Sequence, residues 1–489
     1  MKSPGPNSSY PENQNTESEN LLSRTLRGLK ITTSFTVLKT LLDAAAQLVL
    51  LRLLFPEAFG SLAFILASAG FVGCLADWNG GKYLIQKKRP SLSEIHTIFT
   101  TELIAAIFFG AIWLFGSSTF LHLLNKEHLI PYAWPFAIWI VTERIQIPRF
   151  LLEKELNFGK SNFATFTGVF CGAVLSVILA FMGAGVYSLI FGYLFRSIVT
   201  AAVLFYFCPY KLRLRFDRKA AAPYMKFGIP LTITGLFTFY YWNIDYIIVG
   251  RFMDDERLGY YYNAFKFAHY ILQLQILVSA VVYPAFSKSR DKAQLQRGFS
   301  LATKYSGAVA FLPCVFVIAF GEELVRYGMG EKWLPSLRPL QIFTCLAAFR
   351  MITVHWYHVY LTGGRTGAMP FLGVFNALGV SLAAFIGARY YDLTTVAAGV
   401  TAVNVLVILF AVNVLLRRII QVKYLSDLKK PAAAGILSLA AAILLNRSIN
   451  FPHPYIDLGF KIIVSGLVYC GFLYYLDRKS IKRLLKKRE

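Results

Sequence analysis

The chain has 489 residues, of which 56% are hydrophobic, 16% aromatic and only 16% charged, against roughly 25% charged residues in ordinary soluble domains. Its mean hydropathy is +0.52, and about fourteen apolar stretches approach the ~20 residues that a helix needs to cross a bilayer. The connections left over are too short for a soluble catalytic domain, a large ectodomain or a nucleic-acid-binding module. The formal charge of +24, from 50 Lys and Arg against 26 Asp and Glu, would suggest a polyanion partner in a soluble protein. In a membrane protein such an excess instead marks loops retained on the cytoplasmic side.

Residues 1–28 are polar, rich in Asn, Ser, Pro and Glu at their start, and lack the apolar core of a signal peptide, so they read as a disordered cytoplasmic tail. The expected spans follow at 30–53, 60–80, 95–117, 129–148, 161–183, 185–207, 228–250, 258–284, 298–320, 336–361, 366–388, 393–416, 430–447 and 456–476. They group into a first lobe over 29–207, a basic linker over 208–227, a second lobe over 228–418, two further spans within 428–476 and a basic tail over 477–489. The fold class expected is therefore an all-α integral membrane protein of two pseudo-symmetric six-helix bundles plus two C-terminal helices. Continuous apolar runs such as Ala105 to Phe115 exclude the alternating polarity of β-barrel strands. With the N-terminus inside, roughly 35 Lys and Arg fall in cytoplasmic segments and about 9 in external ones, which places both termini in the cytoplasm.

The two lobes carry a trace of duplication. Arg52, Glu57 and Gly60 after the first span recur 199 residues later as Arg251, Glu256 and Gly259 after the seventh. An even number of spans separates the copies, so the halves are parallel repeats. The six cysteines show no CxxC spacing, and neither a disulfide framework nor a metal site is expected. His355 and His358 form only an isolated HxxH, and no GxxxxGK[ST] phosphate loop is present. The aromatic run Tyr260 to Tyr262 fits an interfacial belt.

Ionisable side chains within a membrane are costly and mark function by default. Asp77, Glu102, Glu143 and Arg144 lie near cytoplasmic ends, Lys461 near an external end, and Lys39, Asp43, Arg196, Lys266, Arg350 and Asp245 deeper. Thr36, Lys39, Asp43 and Gln47 recur at three and four residues, as do Tyr262, Lys266, His269 and Gln273, and Thr238, Tyr241 and Asp245. Each set makes one polar stripe on a helix, which must face a packed interface or a watery cavity rather than lipid. Lys39 and Asp43, one turn apart, could neutralise each other; Lys266 and Arg350 have no acid within a turn.

Several segments together resemble the polysaccharide transporter (oligosaccharide flippase) family, of the superfamily that also holds multidrug extruders and lipid II flippases. They are Phe59-Gly60, Ala76-Asp77 followed by Leu84-Ile85-Gln86-Lys87, Leu151-Leu152-Glu153-Lys154-Glu155-Leu156-Asn157-Phe158, Asn243-Ile244-Asp245, Gly250-Arg251, Leu258-Gly259-Tyr260, Tyr283-Pro284-Ala285-Phe286 and Gly330-Glu331-Lys332-Trp333. The pattern is most similar to the colanic-acid and teichuronic-acid exporter branch. The resemblance implies two helical lobes around a central cavity, in a multi-pass protein of the bacterial inner membrane. It implies movement of an undecaprenyl-pyrophosphate-linked oligosaccharide between leaflets for surface polysaccharide biosynthesis, with no enzymatic step, cofactor or nucleic acid. Besides this substrate and membrane lipids, polysaccharide polymerase and glycosyltransferases are the expected partners. On that reading Lys39, Arg196, Lys266 and Arg350 bind the pyrophosphate and sugar in the cavity, since Lys and Arg make strong charge-assisted bonds to phosphate. Asp43 and Asp245 are the candidates for proton or sodium coupling. The alternatives are a multidrug extruder of the same fold, whose cavity should be anionic, and a membrane-embedded polymerase or ligase, which should display a sizeable external loop.

Overall fold

A computed structural model describes residues 12–275, 292–362, 368–449 and 451–485. Among the described residues there is no strand, and the long helices are α1 (Glu12–Leu53), α2 (Pro56–Leu75), α4 (Leu92–Leu123), α7 (Phe158–Phe181), α8 (Val186–Tyr206), α9 (Arg218–Phe252), α10 (Asp255–Gln273), α11 (Lys292–Ala319), α12 (Leu337–Thr353), α14 (Met369–Tyr390), α15 (Leu393–Phe410), α16 (Tyr424–Ser448) and α17 (Pro454–Leu485). Shorter helices include α3 (Gly80–Gln86), α5 (Trp134–Arg144), α6 (Ile147–Lys154) and α13 (His355–Thr362). Residues 12–28 of the expected tail continue α1 as helix. The Tyr283-Pro284-Ala285-Phe286 segment and the end of the eighth expected span lie outside the described residues.

The helix starts are written in the sequence. Pro56 occupies the first turn of α2, where its missing N–H costs nothing. Ser91 and Glu94 form a reciprocal capping box on α4. Asp217, Asp254 and Asp392 cap α9, α10 and α15 through their carboxylates.

Eleven helices among the described residues are long and apolar enough to cross a membrane. Three expected spans fall short of that standard for identifiable reasons. The fourth is divided at Ile145 and Gln146 into α5 and α6, with Pro131, Pro135 and Pro148 punctuating it and Glu143 and Arg144 at the break. The seventh is α9, with Pro223 and Pro230 inside it, and the eighth is α10, whose sequence holds Asn, Lys, His and three consecutive tyrosines. The chain thus keeps its polarity in the helices that meet at the centre.

Burial identifies that centre. In its most apolar window α2 is 72% buried, against 17% for α1. It packs on α9 and α10, so the helices of the first six expected spans and those of the next six meet along it. The contact is reciprocal at one end. A Cβ on Gly60 would lie 1.8 Å from the Asp255 carbonyl oxygen, and one on Gly259 would lie 1.9 Å from that of Pro56. Gly60 and Gly259, like Pro56 and Asp255, occupy equivalent places in the sequence repeat, so one crossing is built twice around a pseudo-two-fold axis. The last two helices, α16 and α17, pack on each other, and α16 also lies on α11.

Candidate functional site

Polar side chains of α1 and α10 meet in one seam, which takes Asp43 and Gln47 from the first stripe and Lys266 and Gln273 from the second. Thr40 donates to the Gln273 side chain at 2.6 Å. Tyr270 donates its hydroxyl to Asp43, whose carboxylate is also 3.7 Å from the Lys266 ammonium. Lys266 donates to Gln47 Oε1 at 2.7 Å, and Gln47 in turn donates to Asn263 at 2.6 Å. The helices run in opposite directions, so rising positions on α1 meet falling positions on α10, and spacings of three and four keep both rows in register. Of the two settings open to these stripes the structure realises both, since the side chains bond across the interface while Asp43, Gln47 and Lys266 also line a cavity.

Beside the seam, Asp43, Gln47, Ser176, Tyr193, Arg196 and Lys266 form the polar side of a cavity of about 50 Å³ between α1, α2, α7, α8 and α10, whose remaining wall is apolar. Arg196 lies 4.0 Å from Asp43 and is 42% exposed, so Asp43 stands between two cations carried by opposite halves of the repeat. The acid that α10 lacks within a turn of Lys266 is supplied across the interface. Lys39 does not pair with Asp43. It lies toward the first half, with Arg149, Arg196 and Glu153 as its charged neighbours. Arg149 donates to Thr165 at 2.7 Å. The cavity and its inner approach thus gather four cations around two acids, a setting suited to a phosphate-bearing anion.

Arg350 and Asp245 occupy a second cluster, within the α9–α15 half. Arg350 donates to Asn404 at 2.6 Å, and its guanidinium carbon lies 4.3 Å from the centre of the Trp242 ring. Asp245 is buried and accepts from the Tyr261 hydroxyl at 2.7 Å and from the Tyr246 amide at 3.1 Å. The cations expected to share one void are therefore divided: Arg196 and Lys266 line the cavity, Lys39 lies near Arg196, and Arg350 belongs to its own network.

Three kinds of comparison with known proteins bear on the fold. The family model described as "Polysaccharide biosynthesis protein" matches residues 49–338, more than half of the chain. The chain belongs to the polysaccharide biosynthesis protein family. The matched stretch contains Arg196 and Lys266, while Lys39, Asp43 and Arg350 flank it. Similar proteins include the lipopolysaccharide biosynthesis protein WzxC of Escherichia coli (strain K12), 25% identical over 337 residues, 68% of either chain. Another is the teichuronic acid biosynthesis protein TuaB of Bacillus subtilis (strain 168), 22% identical over 436 residues, covering 85% of this chain and 88% of that one. Among solved structures, the lipid II flippase MurJ in an inward closed conformation superposes with a TM-score of 0.75 at 16% identity, covering 92% of this chain and all of that one. The fold is thus shared with that protein and is the all-helical membrane fold expected from the sequence.

In this member of the family the end near the Gly60–Gly259 crossing is further tied by side chains. Asp255 accepts from Lys126, lies 2.9 Å from the His128 ring nitrogen, and accepts from Ser61 at 2.7 Å. Trp333 donates to the Leu51 carbonyl at 2.9 Å and Lys332 to that of Arg52 at 3.0 Å.

The shallower ionisable groups are structural partners. Asp77 pairs with Arg144 at 3.0 Å and Asp457 with Lys461 at 2.6 Å. Glu143 accepts from Ser197 at 3.0 Å. Glu102 accepts from the Gly80 amide, the Trp78 amide and the Tyr224 hydroxyl at 2.8, 3.3 and 2.7 Å. Buried His355 lies 2.8 Å from Ser306, and the side chain of His358 is outside those described. The tyrosines at 260 to 262 are buried and not an interfacial belt, because Tyr261 serves Asp245 and Tyr262 meets Tyr193 at 3.4 Å. Sequence reading passed over Tyr270 and Asn263, although Tyr270 stands one turn from Lys266 on the same face. It also missed Arg149, which lies beyond the expected end of the fourth span.

Proposed function

We propose that the protein is a flippase, and not an enzyme, that moves an undecaprenyl-pyrophosphate-linked oligosaccharide across the bacterial inner membrane by alternating access. The observation that carries this reading is the meeting of Asp43, Arg196 and Lys266, from both halves of the repeat, at one polar cavity deep within the spans. A diphosphate offers several anionic oxygens to Lys266, Arg196, Lys39 and Arg149, while the isoprenoid tail stays in lipid. In the closed seam Asp43 occupies Lys266 and Arg196; a diphosphate must displace it from them, so occupancy and seam opening are coupled. Parting α1 from α10 exposes the cavity on one side. Parting the Gly60–Gly259 crossing exposes it on the other.

Asp43 serves as the proton- or sodium-coupling group, because its partner Lys266 belongs to the opposite half and moves with it, whereas Asp245 is held by Tyr261 and Tyr246 of its own half. Arg350 contacts the sugar portion from the second half. Both termini are cytoplasmic, and glycosyltransferases that build the repeat unit and a polymerase that consumes it act on either side of this step.

The test is a deletion strain. Lipid-linked repeat units should accumulate on the inner leaflet and the surface polymer should vanish. The wild-type gene should restore export, and Lys266→Ala should not restore it while still inserting. Export without the gene, or full rescue by Lys266→Ala, overturns the proposal. A drug-susceptibility change with normal polymer would favour a multidrug extruder.

A further inference from the structure

The connection between α8 and α9 is not a free loop. Residues 211–216 have no helical or turn structure and run as a strap across the first turns of α4. The Arg213 amide donates to His96 Nδ1 at 3.3 Å, the Arg215 amide to Thr100 Oγ1 at 3.0 Å and the Asp217 amide to Thr97 Oγ1 at 3.0 Å; Thr100 returns a bond to the Arg215 carbonyl at 3.0 Å. Ser93 adds a bond to the Asp217 carboxylate at 3.2 Å. Polar side chains of α4 thus take the place of a neighbouring strand and hold the strap extended.

The side chains it presents are a mixture that water alone does not accommodate well. Tyr210 and Leu212 pack inward against Ile95, Ile98 and Phe99. Two residues further on, Leu214 is 68% exposed and Phe216 is 60% exposed. Between and after them Lys211, Arg213, Arg215, Arg218 and Lys219 are exposed, and none of the five is in an ion pair among the described residues. Large apolar side chains alternating with unpaired cations, fixed at the end of a membrane-crossing helix, match the boundary of a bilayer. There the apolar groups enter the acyl region while guanidinium groups reach the headgroups.

We infer that this strap is a binding site for an anionic glycerophospholipid of the inner leaflet, with Arg213 and Arg215 on the phosphate and Leu214 and Phe216 against the acyl chains. Neither the strap nor the α4 residues that hold it line the cavity beside the α1–α10 seam, so this site is separate from the one proposed for the transported molecule. A cytoplasmic loop merely retained by its charge would need no fixed backbone and no outward Leu and Phe. The lipid so held would tether the only covalent link between the two halves of the repeat.

The test uses the full chain released from mixed phosphatidylglycerol and phosphatidylcholine nanodiscs, with bound lipids counted by native mass spectrometry. The wild type is expected to retain phosphatidylglycerol preferentially. Arg213→Gln with Arg215→Gln should reduce occupancy of one phosphatidylglycerol by about tenfold or more, and Arg213→Lys with Arg215→Lys should retain most of it. Leu214→Ser with Phe216→Ser keeps every charge and should also lose the lipid. Gel filtration and circular dichroism confirm that each variant is folded, and Arg338→Gln, at an exposed cation of α12 outside both sites, serves as a control whose lipid count should not change. Unchanged phosphatidylglycerol in the Gln variant overturns the proposal. Retention by the Ser variant, or displacement by inorganic phosphate, would also overturn it by pointing to a site for a soluble phosphate.

Discussion

A single carboxylate carries much of the site's logic. Asp43 accepts from Tyr270 and lies close to Lys266 and Arg196. Replacing it with Asn keeps the shape and removes the charge. A hydrogen bond to a charged group is worth about 1.5–3 kcal/mol, so Asp43→Asn is expected to leave the cations free for a diphosphate while lowering export by roughly ten- to a hundredfold on that scale. Purified Asp43→Asn should still bind the lipid-linked intermediate, whereas Lys266→Ala should lose binding and export together. Binding measured on purified protein, beside surface polymer measured on cells, separates the two. The spacing of three and four made the stripes on α1 and α10 legible before any coordinates, because helical periodicity is local. Which residues meet was not legible. Lys39 stands one turn from Asp43 and is the nearest cation in sequence, yet the partner is Lys266, since the pairing depends on how two distant helices dock. The same limit hid the stacking of Arg350 on Trp242 and its bond to Asn404.

At the scale of helices, two junctions are built without tolerance. At the Gly60–Gly259 crossing each backbone lies where the other's side chain would begin. Gly259→Val should therefore cost about 1–3 kcal/mol by overpacking and should loosen the closed end. The readouts are a lower melting temperature and greater labelling of a cysteine placed at Ser61; unchanged labelling would mean that the crossing is not the seal. The second junction is the turn into α3, where Glu102 receives two amides and one hydroxyl. Glu102→Gln brings an NH₂ group among donors, so at least one bond fails without a replacement, at about 1–3 kcal/mol for a buried unsatisfied group. Tyr224→Phe removes one donor and leaves the other two, so thermal unfolding should show the smaller loss of stability for Tyr224→Phe. The repeat of Arg52, Glu57 and Gly60 pointed to the glycine crossing, whereas length and hydropathy passed over Pro56 and the capping residues and began the expected spans several residues inside α2, α4, α9 and α10. The division of the fourth span was less legible, because an apolar run interrupted by proline can still read as one crossing when only length and hydropathy are weighed.

For the whole molecule, alternating access demands that contacts between the halves form and break in turn, and the structure offers two sets to examine. One is the α1–α10 seam, from Thr40 and Gln273 to Gln47 and Asn263. The other is the Gly60–Gly259 crossing with the ties of Asp255 to Ser61, Lys126 and His128. Both are closed here. The seam is made chiefly of hydrogen bonds and ion pairs, which water can replace when the halves separate, whereas at the crossing the polar ties of Asp255 sit beside the apolar packing of Phe59 and Tyr260 on Trp333, which must also part. If the halves rock, neither set can remain closed throughout a cycle. Cysteines at Thr40 and Gln273, in a protein whose six native cysteines are replaced, should therefore form a reversible lock when oxidised. A second pair, at Ser61 and Asp255, should lock the other end. Each lock alone is expected to stop export and reduction to restore it, with the single-cysteine proteins unaffected by oxidant. Full export by the Thr40–Gln273 protein when its crosslink is complete would show that the seam is static and that the substrate passes elsewhere. The Ser61–Asp255 protein is then the control that shows whether rocking occurs at all, because its lock acts at the opposite end and touches none of the cavity's cations.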